Sequence, residues 1–157
     1  MSTKPLTPAQ AVKRLRKLKI ELKDLEIFKT NLLKIIDQGD FGEHESYHVH
    51  LVRDFLKNTF YKDNYFFNTK DNKDLVIHGN KDKTSPVSVI IETKRPSNLS
   101  GMPTVDNLNS KAFQELVLYY LDERVHHKNE HITQLVITNS LEWFIFDAHE
   151  FDKYFFK

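Results

Sequence analysis

Five short runs rich in β-branched and aromatic residues punctuate the chain: Tyr65-Phe66-Phe67, Leu75-Val76-Ile77, Val87 to Ile91, Leu135 to Ile137 and Trp143 to Phe146. Polar turns separate them, so each predicts a strand. Between the third and fourth, after a loop marked by Pro96, Gly101 and Pro103, the pattern predicts a helix over about Asp106 to His127. A second helix is predicted over about Glu43 to Asn58, with Leu51, Val52, Phe55 and Leu56 as its apolar face. The order helix, helix, three strands, helix, two strands describes an α/β protein with a mixed sheet covered by helices.

The first of those helices is basic. Thr7 is the expected N-cap, with Pro8 at the first helical position and Gln10 as its capping-box partner. The helix is expected to run unbroken to about Ile36, with Leu15, Leu18, Leu22, Leu25, Leu32 and Ile36 as a stripe interrupted by Lys29. Nine Lys or Arg lie between Lys4 and Lys34 against Glu21, Asp24 and Glu26, a local charge of +6 in a chain of formal net charge +1. Residues 1–38 are therefore read as a basic helical extension that packs on a neighbouring surface or tracks phosphate, and 39–157 as the main domain.

With 157 residues, 39% hydrophobic and 29% charged, the chain fits one domain with a real core. Cysteine is absent, which removes disulfides, thiolate metal sites and cysteine nucleophiles and makes the cytoplasm the expected compartment. No run approaches the ~20 apolar residues of a bilayer-spanning helix, and no membrane partner is expected.

The third strand ends in charge: Ile90-Ile91-Glu92-Thr93-Lys94. Side chains alternate along a strand, so Glu92 and Lys94 share a face while Thr93 points away and offers its carbonyl near the strand edge. Asp74 opens the preceding strand, and hairpin pairing would set it beside Glu92. Two converging carboxylates suit a hard divalent cation such as Mg²⁺, which prefers oxygen ligands and keeps waters and phosphate oxygens. Such an ion activates water for phosphodiester hydrolysis, and an adjacent ammonium can orient that water.

Asp74 and the Glu92-Thr93-Lys94 strand resemble the PD-(D/E)xK nuclease superfamily, with Lys73 in place of the nominal proline. Residues from about 43 to 155 are similar to the N-terminal nuclease domain of type IIG restriction-modification enzymes. The resemblance rests on Asp54-Phe55-Leu56-Lys57-Asn58-Thr59-Phe60-Tyr61, Asp74-Leu75-Val76-Ile77-His78, Ile91-Glu92-Thr93-Lys94-Arg95-Pro96-Ser97-Asn98 and Leu108-Asn109-Ser110-Lys111-Ala112. Two further stretches, Leu118-Tyr119-Tyr120-Leu121-Asp122-Glu123-Arg124 and Thr138-Asn139-Ser140-Leu141-Glu142-Trp143-Phe144-Ile145-Phe146-Asp147-Ala148, complete it.

It implies a restriction-endonuclease-like fold and Mg²⁺-dependent DNA endonuclease activity, with Asp74, Glu92 and Thr93 holding the ion and Lys94 positioning water. Related nucleases carry Gln-x-x-x-Tyr on the helix after the Lys strand. Here Gln114 is five residues from Tyr119 and Glu115 is four, so Glu115 and Tyr119 are the expected supporting pair, with Lys111 on the same helical face. An additional acid from the first core helix is expected to be Glu45, with Glu43 as its rival. Arg95, Asn98 and Lys111 are candidate DNA contacts.

His44-Glu45-Ser46-Tyr47-His48 also matches His-Glu-x-x-His, the zinc-peptidase pattern with Glu45 as base. A third ligand is not evident downstream, and His44, His48 and His50 are expected to face solvent. His126, His127 and His131 border a turn without the spacing of a closed metal site.

Type IIG enzymes add methyltransferase and target-recognition regions, whose glycine-rich loop and Asn-Pro-Pro tetrapeptide are absent here. Those partners are expected in cis or in trans, and Phe155-Phe156-Lys157 reads as exposed aromatics at a cut boundary or docking surface. One site cleaves one strand, so a double-strand break would need a second copy or a second binding event. The rival reading is a catalytically silent DNA-binding or docking module with the same fold.

Overall fold

The computed structural model describes residues 6–7, 9–10, 13, 20–39, 42–61 and 64–156. A five-stranded mixed sheet, in the order β1-β2-β3-β4-β5, carries helices on both faces. Its strands are β1 Phe67–Lys70, β2 Lys73–His78, β3 Val87–Thr93, β4 Gln134–Thr138 and β5 Trp143–Asp147. Helix α1 spans Leu22–Gln38, α2 Glu45–Leu56, α3 Lys111–Val125 and α4 Ala148–Phe155. Three neighbouring pairs are antiparallel; β3 and β4 are parallel. Parallel neighbours require a crossover, and α3 provides it, capped by Ser110, whose hydroxyl accepts from the Phe113 N–H at 3.3 Å.

Alternation along the strands sorts the core into two layers. Val76, Ile90, Leu135 and Ile137 pack with Phe113, Leu116 and Tyr120 of α3 and Phe151 of α4. Leu75, Ile77, Ile91 and Val136 pack on the opposite face with Val49 and Val52 of α2 and Ile35 of α1. Asp74, Glu92 and Lys94 have the parity of Val76 and Ile90, which aims them at the α3 side.

Several sequence expectations are corrected. The unbroken first helix is interrupted at Ile20 and Glu21, which are not helical. Glu21 is extended (φ −86°, ψ 153°) and its N–H donates to Asp24 Oδ2 at 3.3 Å, starting α1 afresh. The Thr7 cap is present, since Gln10 N–H donates to Thr7 Oγ1 and Thr7 N–H to Gln10 Oε1. Pro8, Leu15, Leu18 and most of the basic residues between them lie outside the described residues. The expected stripe is also rotated: Leu22, Leu25 and Ile36 are exposed, while Asn31 and Ile35 are buried.

The first strand begins at Phe67 rather than Tyr65, although Phe66 still bonds to His78 and Asn80 through its backbone. The helix expected from Asp106 starts at Lys111, and α2 gives way at Lys57–Tyr61 to a π-helical turn. Phe155 belongs to α4 and packs against Phe113 and Phe151 instead of standing exposed. Phe156 lies under the Arg124 guanidinium, 4.5 Å from its ring centre. Among the described residues no helix is long and apolar enough to cross a membrane.

Candidate metal centre

The antiparallel register pairs Leu75 with Ile91, which brings Asp74 alongside Glu92. The Thr93 N–H, pointing across the hairpin, donates to Asp74 Oδ2 at 2.9 Å. Glu92 and Lys94 share the α3 side of β3, and the Lys94 ammonium donates to Glu92 Oε1. The same ammonium lies 3.2 Å from Glu45 Oε1, on the first turn of α2, and 2.9 Å from Glu115 Oε2, on α3. One cation thus gathers three acids from three separate elements.

Glu45, Asp74 and Glu92 each offer an oxygen within 4.8 Å of the others, a set that could hold a metal ion. The donors are all hard oxygens, which suits a hard cation. Glu92 is 1% exposed, and its Oε2 receives no hydrogen bond among the described residues. Burial, and then the neighbouring Asp74 charge, push its pKa up to about 8. Glu115 is also pushed up by its burial, but Lys94 and Glu92 outweigh that and leave it below the ordinary carboxylate value. Without an ion, Glu92 therefore holds the proton beside an ionised Glu115, in the place a divalent cation would neutralise.

Asp74 is raised by burial against the opposing pull of Thr93 and Lys94. Burial alone would lower Lys94, but the contacts with Glu92, Glu115 and Glu45 reverse this, so it stays an ammonium. Tyr119, one turn beyond Glu115, is pushed up to about 12 by burial and the surrounding acids and keeps its phenolic proton.

Thr93 has a buried side chain, and its N–H bonds Asp74. Lys111 is exposed at 3.7 Å from Glu115, and Arg95 is exposed beside the site. Asn98 caps a 3₁₀ turn, Leu99–Gly101, accepting from the Gly101 N–H at 3.2 Å. Gln114 turns away to Asn109 at 2.8 Å, so Glu115 is the residue of α3 that reaches the site. Glu43 is exposed and takes no part in the described ion pairs.

The His-Glu-x-x-His pattern does not converge on a ligand set among the described residues. His44 and His50 are exposed, and His48, expected in solvent, is fully buried, with its ring edge-on to Tyr47. It lies on the core side of α2 with Val49 and Val52, while Glu45 points toward Lys94.

Lys73, immediately before Asp74, is 3% exposed. Its ammonium lies 2.8 Å from Asp122 and 3.4 Å from both Glu123 and Asp71. Buried Glu123 also takes Lys70 at 2.7 Å and the Asn129 amide at 3.0 Å. The ligand atoms of Asp71, Asp122, Glu123 and His127 also lie within metal-binding reach of one another, and there the Lys73 and Lys70 ammoniums already sit among the acids. This network ties α3 to the start of β2, fixing Glu115 and Tyr119 relative to Asp74. Nothing in the spacing of Lys73 and Glu123 signalled it; the lysine in a proline position was the only hint.

Residues 6–157 match the model of a family described as Domain of unknown function (DUF7149). No curated protein and no solved structure matches the chain.

Proposed function

The chain belongs to the DUF7149 family, and we propose that it is a Mg²⁺-dependent DNA endonuclease domain, the cleaving part of a restriction-modification enzyme. The observation that carries this reading is the meeting of Glu45, Asp74 and Glu92 around one point with Lys94 held beside them. The order of these residues along the chain, and their resemblance to the PD-(D/E)xK pattern, selects nucleic-acid hydrolysis from the reactions such a centre could serve.

Asp74 and Glu92 would hold the ion, with the Thr93 carbonyl as a third oxygen and Glu45 completing the acidic set. The bound ion would supply a Lewis acid and lower the pKa of a coordinated water. Lys94 keeps its proton, so it acts as a fixed donor that orients the attacking water and offsets charge building on the phosphate. Glu115 holds the ammonium from the α3 side, and Tyr119, which keeps its phenolic proton, would offer a further donor to the bound phosphate. Exposed Arg95 and Lys111 would contact the phosphates of a bound strand. Such contacts position the duplex without reading its sequence, so target choice would come from a recognition region in cis or in trans.

Incubation of the full chain with supercoiled plasmid and Mg²⁺ tests this. Metal-dependent nicking that disappears with chelator and in Asp74→Asn is expected. Binding without nicking, at any divalent ion, would favour the silent docking module.

A further inference from the structure

Helix α1 has two apolar faces, and only one is used. Ile35 is buried against α2 and the sheet, with Leu32 packed beside it and Asn31 also buried. On the other side Leu22, Leu25, Lys29, Leu33 and Ile36 form a stripe at helical spacing, and its apolar members are 80%, 50%, 48% and 51% exposed. A surface helix normally carries one apolar stripe; a second marks a contact still to be made.

The charges beside that stripe specify the partner. Lys23, Glu26, Lys34 and Asp37 run along one of its flanks, all exposed, and none is ion-paired with a described residue. When two copies of a helix pack antiparallel about a two-fold axis, the same flank of each meets, and residues equidistant from the midpoint face one another. The midpoint of Leu22–Gln38 is residue 30. Lys23 then faces Asp37 of the other copy, and Glu26 faces Lys34, four ion pairs of the right sign across the dimer. The seam agrees within a residue, about 1.5 Å of helix rise, setting Leu22 opposite Ile36 and Leu25 opposite Leu33. Lys29 lies at the crossing, where its long stem can cover apolar surface while the ammonium reaches water. A parallel pairing would bring this flank against the opposite, uncharged one and satisfy none of the four charges. Acidic Glu26 and Asp37 also make the flank a poor surface for phosphate.

We infer that the outer face of α1 is a self-association surface on which a second copy of this chain docks antiparallel. One helix face buries less than the ~800 Å² per partner of a standard interface, so the dimer is weak and concentration-dependent. This inference does not rest on the nuclease reading.

Sedimentation velocity on the full chain across a hundredfold concentration range tests it. A monomer–dimer equilibrium is expected, with Glu26→Lys and Lys34→Glu each weakening it by about tenfold or more through like-charge contacts. The doubly exchanged chain, Glu26→Lys with Lys34→Glu, regains dimerisation, and an equimolar mixture of the two single variants forms the heterodimer. Rescue of this kind separates pairing from a folding defect, which circular dichroism of each variant monitors. A wild-type chain that stays monomeric throughout, as it would if another protein, a nucleic acid or a further region of a longer chain covers the face, overturns the inference. So does a dimer indifferent to both single exchanges, or one that the double exchange fails to restore.

Discussion

Glu45 and Lys94, separated by 49 positions in the chain, meet at 3.2 Å where the first turn of α2 passes the end of β3. The contact decides between two uses of the same glutamate. Within His-Glu-x-x-His it would serve a zinc ion between two imidazoles; in the fold it belongs to the acidic ring around a buried ammonium, with His44 in solvent and His48 in the core.

Lys94 is 3% exposed, so its loss is felt by the fold as well as by the site. Lys94→Met leaves Glu45, Glu92 and Glu115 without their cation, and breaking a buried pair costs about 3–5 kcal/mol. Thermal unfolding in chelator should show that loss. Removing a positive charge also favours a divalent ion, so Mg²⁺ should raise the melting temperature of Lys94→Met more than that of the wild type, while nicking is abolished.

Ion binding should release a proton and strengthen with pH. Glu92 is protonated in the ion-free fold, with a pKa near 8 against an ordinary 4.5. Because the folded state holds the extra proton between those values, ion-free stability falls as pH rises through that window, and added Mg²⁺ reverses the loss. Titration calorimetry in buffers of different ionisation enthalpy measures the proton; no proton release at pH 6 would contradict the assignment.

Glu115→Gln and Gln114→Ala separate two neighbours on α3. The first removes a carboxylate 2.9 Å from Lys94 and should weaken divalent binding or nicking about tenfold or more. The second touches only Asn109 at the surface and should change stability by less than about 0.5 kcal/mol and activity not at all.

The Lys73 network predicts an acid limb of its own. Asp122 is held down at about 2, first by its hydrogen bond from Lys73 and then by His126. A depressed carboxylate contributes stability above its unfolded value and loses it as pH falls through the folded one. Asp122→Asn should therefore flatten the stability curve between about pH 4 and 2, read by urea unfolding at successive pH values.

Phe151 tests whether α4 is part of the fold. It is fully buried and packs on Phe113, Tyr120, Phe146 and Phe155. Phe151→Ala should cost about 3–5 kcal/mol, whereas a peripheral helix would tolerate it.

What the sequence disclosed is what short-range periodicity encodes. Alternation placed Glu92 and Lys94 on one face, and the polar turn between two apolar runs set Asp74 beside them. The mixed five-stranded sheet and its crossover helix followed from the order of the runs. What it hid depends on contacts between distant segments. Glu45 could be read as a zinc-peptidase base because only tertiary packing turns it to Lys94. His48 read as polar and solvated, yet packing of α2 on the sheet buries it. The stripe on α1 was read as a single contact face, but Asn31 and Ile35 face inward with Leu32, and Leu22, Leu25 and Ile36 stay outside. Glu123 looks like an ordinary surface acid until Lys70, Lys73 and Asn129 close around it. The Glu21 break involves no proline or glycine, only a local acid competing for a backbone N–H.

Anomalous diffraction from crystals grown with Mn²⁺ tests the central claim most directly. The account predicts one strong peak between the carboxylates of Asp74 and Glu92, within reach of Glu45, and its loss in Asp74→Asn. A chain that binds no ion there, or that takes Mn²⁺ only at the Asp71, Asp122 and His127 cluster, would contradict it.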